Sequence, residues 1–405
     1  MQTVKRLVSI VFIISLIVGG CATKSNKASD TEKLEAKANE LAHKFLITDG
    51  HIDLPYRLRE HMEDISVRTE NGNFDYVRAK EGGLDAPFMS IYIPASFQQT
   101  GGAKELADTL IDMVENLAMN HPDKFALAHT PDEAIANFKK GLVSLPMGME
   151  NGAPIGTDIA NVKYFQERGI RYITLTHGKD NEICDSSYDT TRTWNGLSPF
   201  GVEVVKEMNH VGIMIDVAHI SDSTFYQVMR ISQTPVIASH SSCRHFTPGF
   251  ERNMSDEMIK ILADKGGVIQ INFGSTFLDQ SSIDKNKEID KHVGDWIEEH
   301  HLERRDSVAR EYANKYREEN FKFSTVTKVA DHIDHVVSIA GIDHVGLGSD
   351  FDGVGNSLPV GLKDASDYPN LILELLKRGY SEEDIEKICS KNVFRVWRAV
   401  EKAAH

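Results

Sequence analysis

Short apolar segments rich in β-branched residues recur along the chain from residue 47 onward, and stretches with the apolar spacing of helices separate them. Strands that alternate with helices predict parallel βαβ units, and eight such units are the number that closes a TIM-type (β/α)8 barrel. An open, doubly wound α/β sheet is the other fold that this alternation allows. The predicted strands span residues 47–54, 87–93, 143–149, 170–176, 211–218, 235–240, 267–273 and 344–350.

Two further stretches lie outside this alternation. Residues 31–45 have the spacing of an amphipathic helix, and the polar residues 22–30 before them are predicted to be a tether. Residues 281–325 are highly charged and lie between the seventh and eighth predicted strands, where they predict a helical insertion in a βα loop. We therefore expect one barrel domain over residues 46–405, with a charged helical insertion before its last strand.

The first twenty residues have the pattern of an export signal, with Lys5 and Arg6 before an apolar core, Leu7–Val18. The order Val-Gly-Gly-Cys that ends at Cys21 resembles the lipobox of bacterial lipoproteins. This resemblance implies a mature chain that begins at an acylated Cys21 and is anchored by lipid to a membrane of the bacterial cell envelope, with its domain outside the cytoplasm. An ordinary signal peptide or an uncleaved anchor is the alternative.

The charge and the cysteines restrict the partners and the compartment. Loss of Lys5 and Arg6 with residues 1–20 would change the formal net charge from −15 to −17. A chain this acidic, without a basic stripe, is predicted not to bind nucleic acid. Cys184, Cys243 and Cys389 remain besides Cys21, so export permits one disulfide, and the sequence leaves its pairing open. It also leaves open whether the protein forms a homodimer.

Residues that can bind a metal ion stand at the carboxyl ends of four predicted strands, where barrel enzymes place their active sites. His51 and Asp53 follow the first strand, and alternation along an extended chain points them to the same face. Glu150 ends the third strand beside glycines, and His219 and His240 end the fifth and sixth. Each residue alone is more simply explained as a hydrogen-bonded side chain. Together, all five are predicted to converge at one mouth of the barrel.

Imidazole and carboxylate ligands without a cysteine suit zinc, with manganese or iron as competitors. Five protein ligands exceed what one tetrahedral catalytic ion needs, since such an ion keeps a position for water. Two ions account for the number if Glu150 bridges them, with His51 and Asp53 on one side and His219 and His240 on the other. The sequence therefore predicts two zinc ions per chain.

Several segments resemble the signature segments of the membrane (renal) dipeptidase family of zinc peptidases, in order between about residues 46 and 400. They are GHIDLP, GMENG, DVAHIS, ASHSSCRH and GSDFDGV. In that family the bridging carboxylate comes from the third strand, where this chain has Glu150. Many other metal-dependent barrel hydrolases bridge instead with a carboxylated lysine on the fourth strand, where this chain has Thr176-His177-Gly178. The resemblance therefore implies a barrel of the metal-dependent hydrolase kind and favours its dipeptidase branch.

The resemblance also implies roles for three further residues. His177 matches the histidine that contacts the substrate and polarises the scissile carbonyl, Arg252 the arginine that binds the substrate's carboxylate, and Asp350 the acid/base aspartate. The implied catalytic residues are thus Glu150, His177 and Asp350, and the implied substrate contacts are His177, Arg252 and Asp350. The implied reaction is hydrolysis of dipeptides by a hydroxide between two zinc ions, with tolerance of a D-residue at the C-terminal position.

Two other functions stay open at this point. A metal-dependent barrel can also hydrolyse lactones, cyclic amides or N-acyl amino acids, because one fold and one metal pair serve many reactions. A surface lipoprotein that binds peptides or metal without turnover would have a broken ligand set or no acid/base group, and the sequence shows neither. Asp352 is predicted to form an ordinary surface salt bridge, and solvent exposure is predicted for the histidines at 292, 300, 301, 332 and 335.

Overall fold

Parallel strands close into a barrel in the computed structural model, which describes residues 21–405. Eight strands pair as neighbours in chain order, which confirms the predicted α/β barrel. The first and last meet where Asp350 N donates to His51 O at 3.1 Å and Asp53 N donates to Phe351 O at 2.9 Å. The barrel strands are β1 (Ile47–Ile52), β2 (Leu84–Tyr92), β5 (Met147–Glu150), β6 (Ile170–Thr174), β7 (Met214–Asp216), β8 (Ile237–Ser241), β9 (Val268–Ile271) and β10 (Val345–Leu347).

The third predicted strand, residues 143–149, is divided in the structure. Its first half, β4 (Val143–Leu145), pairs with β3 (Phe125–Leu127) in a separate two-stranded sheet, and only the second half enters the barrel as β5. Pro146 lies at the division, where it has no N–H to donate to a neighbouring strand. Its carbonyl oxygen still accepts a hydrogen bond from Met89 N at 2.8 Å.

Helices connect the strands and cover the outside of the barrel, and most begin at a serine, threonine or aspartate. Thr130, for example, accepts a hydrogen bond from Glu133 N at the start of the helix Pro131–Lys139. The helices are α1 (Cys21–Lys44), α2 (Leu54–Glu60), α3 (Tyr76–Gly82), α4 (Phe97–Thr100), α5 (Ala103–Asn120), α6 (Pro131–Lys139), α7 (Ala160–Glu167), α8 (Pro199–Val211), α9 (Asp222–Ile231), α10 (Asp256–Asp264), α11 (Ser275–Leu278), α12 (Gln280–Glu299), α13 (Ser307–Asn320), α14 (Val326–Ala340), α15 (Tyr368–Lys377), α16 (Glu382–Glu386) and α17 (Asn392–Ala403).

The helix predicted over residues 31–45 begins ten residues earlier, at Cys21, and so includes the segment predicted to be a tether. Residues 22–30 contain neither glycine nor proline, so nothing in their backbone chemistry ends the helix there. The predicted signal, residues 1–20, lies outside the described residues. Among residues 21–405, no helix is both long enough and apolar enough to cross a membrane.

The charged insertion before the last strand forms the two helices α12 and α13. They enclose a small hydrophobic cluster that contains Ile289, Val293, Ile297 and Phe321 and is separate from the clusters of the barrel. The Trp296 ring stacks on that of Tyr312, with centroids 3.8 Å apart and planes at 10°. The predicted helical insertion is therefore confirmed, and its two helices are held to each other by apolar and aromatic contacts.

The amino-terminal end of the barrel is filled by a hydrophobic cluster in which α17 packs against the beginnings of strands. Trp397 of this helix is fully buried, and its ring lies 5.2 Å from that of Phe88 in β2.

The three cysteines at 184, 243 and 389 are buried free thiols, so the disulfide that export permits is not formed among them. His332 is fully buried, which corrects its predicted exposure: it accepts from Cys243 N at 3.0 Å, and its other ring nitrogen lies 3.0 Å from Leu278 O.

Candidate active site

The carboxylate of Glu150 lies at the centre of the barrel's carboxyl-terminal mouth and is almost fully buried. Its Oε1 lies 3.1 Å from His219 Nε2 and 3.3 Å from His240 Nε2. Its Oε2 lies 3.4 Å from His51 Nε2, which is 3.5 Å from Asp53 Oδ2. The structure thus brings all five residues together, and each oxygen of Glu150 faces a different group of ligand atoms.

The backbone bends sharply where these residues leave their strands. Asn151, His219 and Asp350 have φ angles of 76°, 68° and 61°, in the left-handed region that residues other than glycine rarely adopt. Such conformations cost about 1–3 kcal/mol each and concentrate at functional sites. At three strand ends, therefore, the chain adopts an unfavourable conformation beside the residues of the mouth.

The surroundings of His51 favour a positive charge next to its Nε2. Its Nδ1 lies 2.8 Å from the Tyr172 hydroxyl, which donates to Gly50 O at 3.0 Å and therefore accepts from Nδ1–H. Nε2 is buried, has no hydrogen-bond partner among the described residues, and faces two carboxylates. Burial lowers the pKa of His51, but Tyr172, Glu150 and Asp53 raise it more, so the net shift is well upward. A metal ion meets this requirement, so the site fits a cation.

The other two imidazoles have the opposite electrostatic character. Burial holds the pKa values of His219 and His240 well below the usual range, so both are neutral and offer lone pairs. Burial raises the pKa of Glu150, but nearby His51 and His177 outweigh it and the net shift is well downward, so this carboxyl is ionised. Neutral imidazoles around an ionised carboxylate are a donor set that zinc binds.

Asp350 lies beside the same mouth, with a carboxylate oxygen within 4.8 Å of ligand atoms of His51 and Asp53. Its Oδ2 accepts a hydrogen bond from Asn272 Nδ2 at 2.8 Å. Burial, and then the charge of Asp53, raise the pKa of Asp350 to about 7. A carboxyl group that titrates near neutral pH can both accept and return a proton.

His177 faces the cleft above Glu150. Its side chain is 26% exposed, and its Nε2 lies 3.7 Å from Glu150 Oε1. Burial lowers its pKa, so it is a neutral imidazole with one N–H to donate. The cleft has a volume of about 480 Å³, and the side chains that line it include Asp53, Glu150, Asp350, Tyr92, Tyr188 and Phe277.

Arg252 is buried. Its Nη1 donates to Ser241 Oγ at 2.8 Å and its Nη2 to His240 O at 2.9 Å, while Nε has no partner among the described residues. The guanidinium carbon lies 5.3 Å from the ring centre of Phe277, which lines the cleft. Three of the five guanidinium N–H bonds therefore remain available to an anion.

Asp352, predicted to be a surface residue, is a buried part of the site. Its side chain is fully enclosed, with Oδ2 3.2 Å from Arg57 Nε and Oδ1 accepting from Asn73 N at 2.6 Å. Its φ of 66° is also left-handed. The ion pair between Asp352 and Arg57 holds the loop that carries Asp350 against the segment after β1. The sequence offered one signal for this, the repeat of aspartate two residues after Asp350.

An α/β barrel that gathers imidazoles and carboxylates at its carboxyl-terminal mouth has the arrangement of a metal-dependent barrel enzyme. The chain belongs to the membrane dipeptidase family, peptidase family M19, whose model matches residues 35–405. It is therefore a metal-dependent dipeptidase, a peptide hydrolase, as the sequence motifs predicted.

Relatives and solved structures agree with this family. Dipeptidase verJ of Clonostachys rogersoniana is 32% identical over 383 residues, which are 91% of this chain and 88% of the relative. The probable dipeptidase PvdM of Pseudomonas aeruginosa has a TM-score of 0.78 at 26% identity, covering 92% of this chain and 100% of that one. A metallo peptidase from Rhodobacter sphaeroides, solved with a phosphinate mimic of L-Ala-D-Ala, shares the fold with a TM-score of 0.72 at 23% identity, covering 88% and 99%.

A substitution at Gly353 tests how closely Asp53 and Asp350, the two aspartates of the mouth, are placed. A Cβ at this position would lie 2.1 Å from Asp53 Oδ2 and 2.3 Å from Asp350 Oδ1, so Gly353→Ala must displace at least one carboxylate. We expect kcat/KM for a dipeptide to fall by roughly 10²-fold, as for other small displacements of reacting groups. Gly178→Ala is the control, because a Cβ there meets nothing within 4 Å. Wild-type kcat/KM in a folded Gly353→Ala protein would contradict this placement.

Proposed function

We propose that the protein hydrolyses dipeptides with two zinc ions, and that it accepts a D-residue at the C-terminal position. The observation that carries the zinc count is the position of Glu150, whose Oε2 lies 3.4 Å from His51 Nε2 while its Oε1 lies 3.1 and 3.3 Å from the Nε2 atoms of His219 and His240. His51 and Asp53 would hold one ion with Oε2, and His219 and His240 the other with Oε1. When bound, zinc supplies a hydroxide nucleophile near neutral pH by lowering the pKa of bound water to about 7.

The residues around the cleft can carry out the remaining steps. The neutral imidazole of His177 donates to the carbonyl oxygen of the scissile bond and stabilises the negative charge that develops there. Asp350 takes up the proton of the attacking water and returns it to the leaving amine. Its hydrogen bond from Asn272 fixes the carboxyl group, and Phe351 and Asp53 fix the loop on which it stands. No serine or cysteine nucleophile is required.

Arg252 is the group proposed to select dipeptides. A guanidinium binds a carboxylate through two parallel N–H bonds, and Arg252 keeps Nε–H and one hydrogen on each Nη for this purpose. A free carboxylate one residue beyond the scissile bond is what distinguishes a dipeptide from a longer peptide. Tolerance of a D-residue is supported by the family resemblance and by the L-Ala-D-Ala mimic held by the Rhodobacter sphaeroides protein. Dipeptides from turnover of the bacterial cell wall have this stereochemistry.

The proposed location is the bacterial cell envelope, with a lipid on Cys21. This proposal rests on the sequence before the barrel, in which an apolar run and two glycines precede Cys21. Cys21→Ser should leave the precursor unacylated and reduce its recovery with membranes, because each buried methylene of an acyl chain contributes about 0.8 kcal/mol to membrane binding. Metabolic labelling with a fatty acid and membrane fractionation measure both effects. Unchanged, detergent-dependent membrane association of the variant would indicate an uncleaved anchor instead.

The zinc count can be tested at Glu150. Wild-type protein should hold two zinc ions per chain by elemental analysis, and Glu150→Ala should lose at least one, since each ion would lose a carboxylate ligand. Asp85→Ala is the control, because it removes another buried carboxylate, from β2, that is hydrogen-bonded to Ile47 N. That variant should keep both ions. Two ions and full turnover in Glu150→Ala would show that Glu150 does not bridge.

Arg252 and Asp350 should affect different kinetic constants, because one is proposed to bind the substrate and the other to move a proton. Arg252→Ala should raise KM for Gly-D-Ala by about 10- to 100-fold, the range for a charged hydrogen bond, and the loss should shrink for the C-terminal amide. Asp350→Asn should instead lower kcat by roughly 10²- to 10⁴-fold. Zinc content must stay at wild-type level in both, since Arg252 also contacts His240 O.

Two results would contradict these roles. An unchanged ratio between the free and amidated dipeptides in Arg252→Ala would exclude it as the carboxylate-binding residue. Full kcat in Asp350→Asn with zinc retained would exclude the proton transfer, whereas loss of zinc from that variant would make Asp350 a ligand.

A further inference from the structure

Asp216, the last residue of β7, is fully buried beneath the mouth and accepts hydrogen bonds from the two neighbouring strands and from a turn. Its Oδ1 accepts from two backbone groups, Ser239 N at 2.8 Å and Ala218 N at 3.1 Å. Its Oδ2 accepts from two hydroxyls, Thr174 Oγ1 at 2.5 Å and Ser239 Oγ at 2.6 Å. All four neighbours are donors, so this carboxylate is fully satisfied without touching a metal ligand.

These bonds determine what the Ser239 hydroxyl can do. A hydroxyl has a single hydrogen, and Ser239 donates it to Asp216 Oδ2. Ser239 Oγ also lies 2.7 Å from His240 Nδ1. With its hydrogen already committed, the oxygen must accept, and Nδ1 must be the nitrogen that carries the proton of His240. The lone pair of the ring is then on Nε2, which is the nitrogen 3.3 Å from Glu150 Oε1.

We propose that Asp216 is a positioning residue that fixes His240, through Ser239, in the tautomer whose Nε2 can bind a metal ion. The effect of this tautomer on zinc binding rests on the proposed function, whereas the tautomer itself does not. The arrangement follows from the barrel, since Asp216 pairs in register with Thr174 on β6, and Ser239 and His240 come from β8 on its other side.

Asp216→Asn reverses the direction of the chain of hydrogen bonds without removing it. The two backbone N–H groups of Ser239 and Ala218 hold the amide oxygen at the Oδ1 position, so the amide NH2 replaces Oδ2. That group donates to the Thr174 and Ser239 hydroxyls, and the Ser239 hydrogen is released to donate to His240 Nδ1. The proton of His240 then moves to Nε2, where Glu150 Oε1 can accept it. The protein should therefore fold, but the nitrogen that would bind zinc is blocked.

The experiment reads the tautomer directly in metal-free protein. Protein labelled with ¹⁵N-histidine and stripped of metal is examined by long-range ¹H–¹⁵N correlation spectra, with the His240 signals assigned from a His240→Gln spectrum. Wild-type protein should show His240 protonated at Nδ1, and Asp216→Asn should show it protonated at Nε2. Zinc affinity, measured by competition with a chromogenic chelator, should fall about 10- to 100-fold in the variant, as for other residues that orient metal ligands.

Thr174→Val is the matched control. It removes the other hydroxyl on the same Asp216 oxygen but leaves the Ser239 bond to His240 in place, so tautomer and zinc affinity should stay as in the wild type. Ser239→Ala breaks the connection itself and should lower zinc affinity, while Ser239→Thr, which keeps the hydroxyl, should restore it.

The outcomes separate this proposal from the metal assignment. A wild-type His240 protonated at Nε2, or an Asp216→Asn protein that keeps the Nδ1 tautomer, would overturn the proposal, and the first of these needs no variant to fold. A tautomer that changes as expected without any loss of zinc affinity would support the role of Asp216 and overturn His240 as a zinc ligand.

Discussion

The ionised carboxylate of Glu150 is the group on which the arrangement of the mouth depends. Burying a carboxylate costs several kcal/mol unless positive charge and hydrogen bonds offset it. Three histidines face its two oxygens within 3.4 Å, yet burial keeps two of them neutral. Burial raises the pKa of Glu150, but the nearby His51 and His177 outweigh it, and the net pKa is well below the usual range. The residues of the mouth thus favour negative charge on Glu150 and positive charge beside His51 Nε2, and this combination is why they fit a metal centre better than an ordinary buried network.

The barrel places the buried polar groups of the mouth at one end and the apolar packing that stabilises the fold at the other. At its amino-terminal end, Trp397 and Phe88 belong to a cluster of packed apolar side chains. At the carboxyl-terminal end, polar groups are buried and the backbone is left-handed at Asn151, His219 and Asp350. Unfavourable conformations at one end are tolerated because the packing of the other end and of the surrounding helices holds the strands in place. The mouth can therefore be arranged for chemistry rather than for low energy.

The sequence predicted the barrel and the convergence of the five candidate metal ligands because both follow from local patterns. Parallel strands place all their carboxyl ends on one side, so His51, Glu150 and His240 meet whatever their distance along the chain. The burial of Asp352 and His332 was not predicted, because it depends on partners far away in sequence, Arg57 for the one and the backbone near Cys243 for the other. The hydrogen bonds of Asp216 were missed for the same reason. These bonds depend on how β6, β7 and β8 are aligned with one another, and the residues of a single strand do not show its register with its neighbours.

The hydrogen bonds of Arg252 to β8 also bear on how the enzyme would select dipeptides over longer peptides. Arg252 donates to His240 O and Ser241 Oγ, so the proposed carboxylate-binding group is attached to the same strand end that carries a proposed metal ligand. The distance between Arg252 and His240 is then set by the backbone of β8 and two hydrogen bonds to this strand rather than by the packing of separate elements. A substrate whose carboxylate is one residue beyond the scissile bond fits such a fixed spacing, whereas a longer peptide would have to displace Arg252 from β8. Selectivity for dipeptides would thus depend on the same strand end as metal binding.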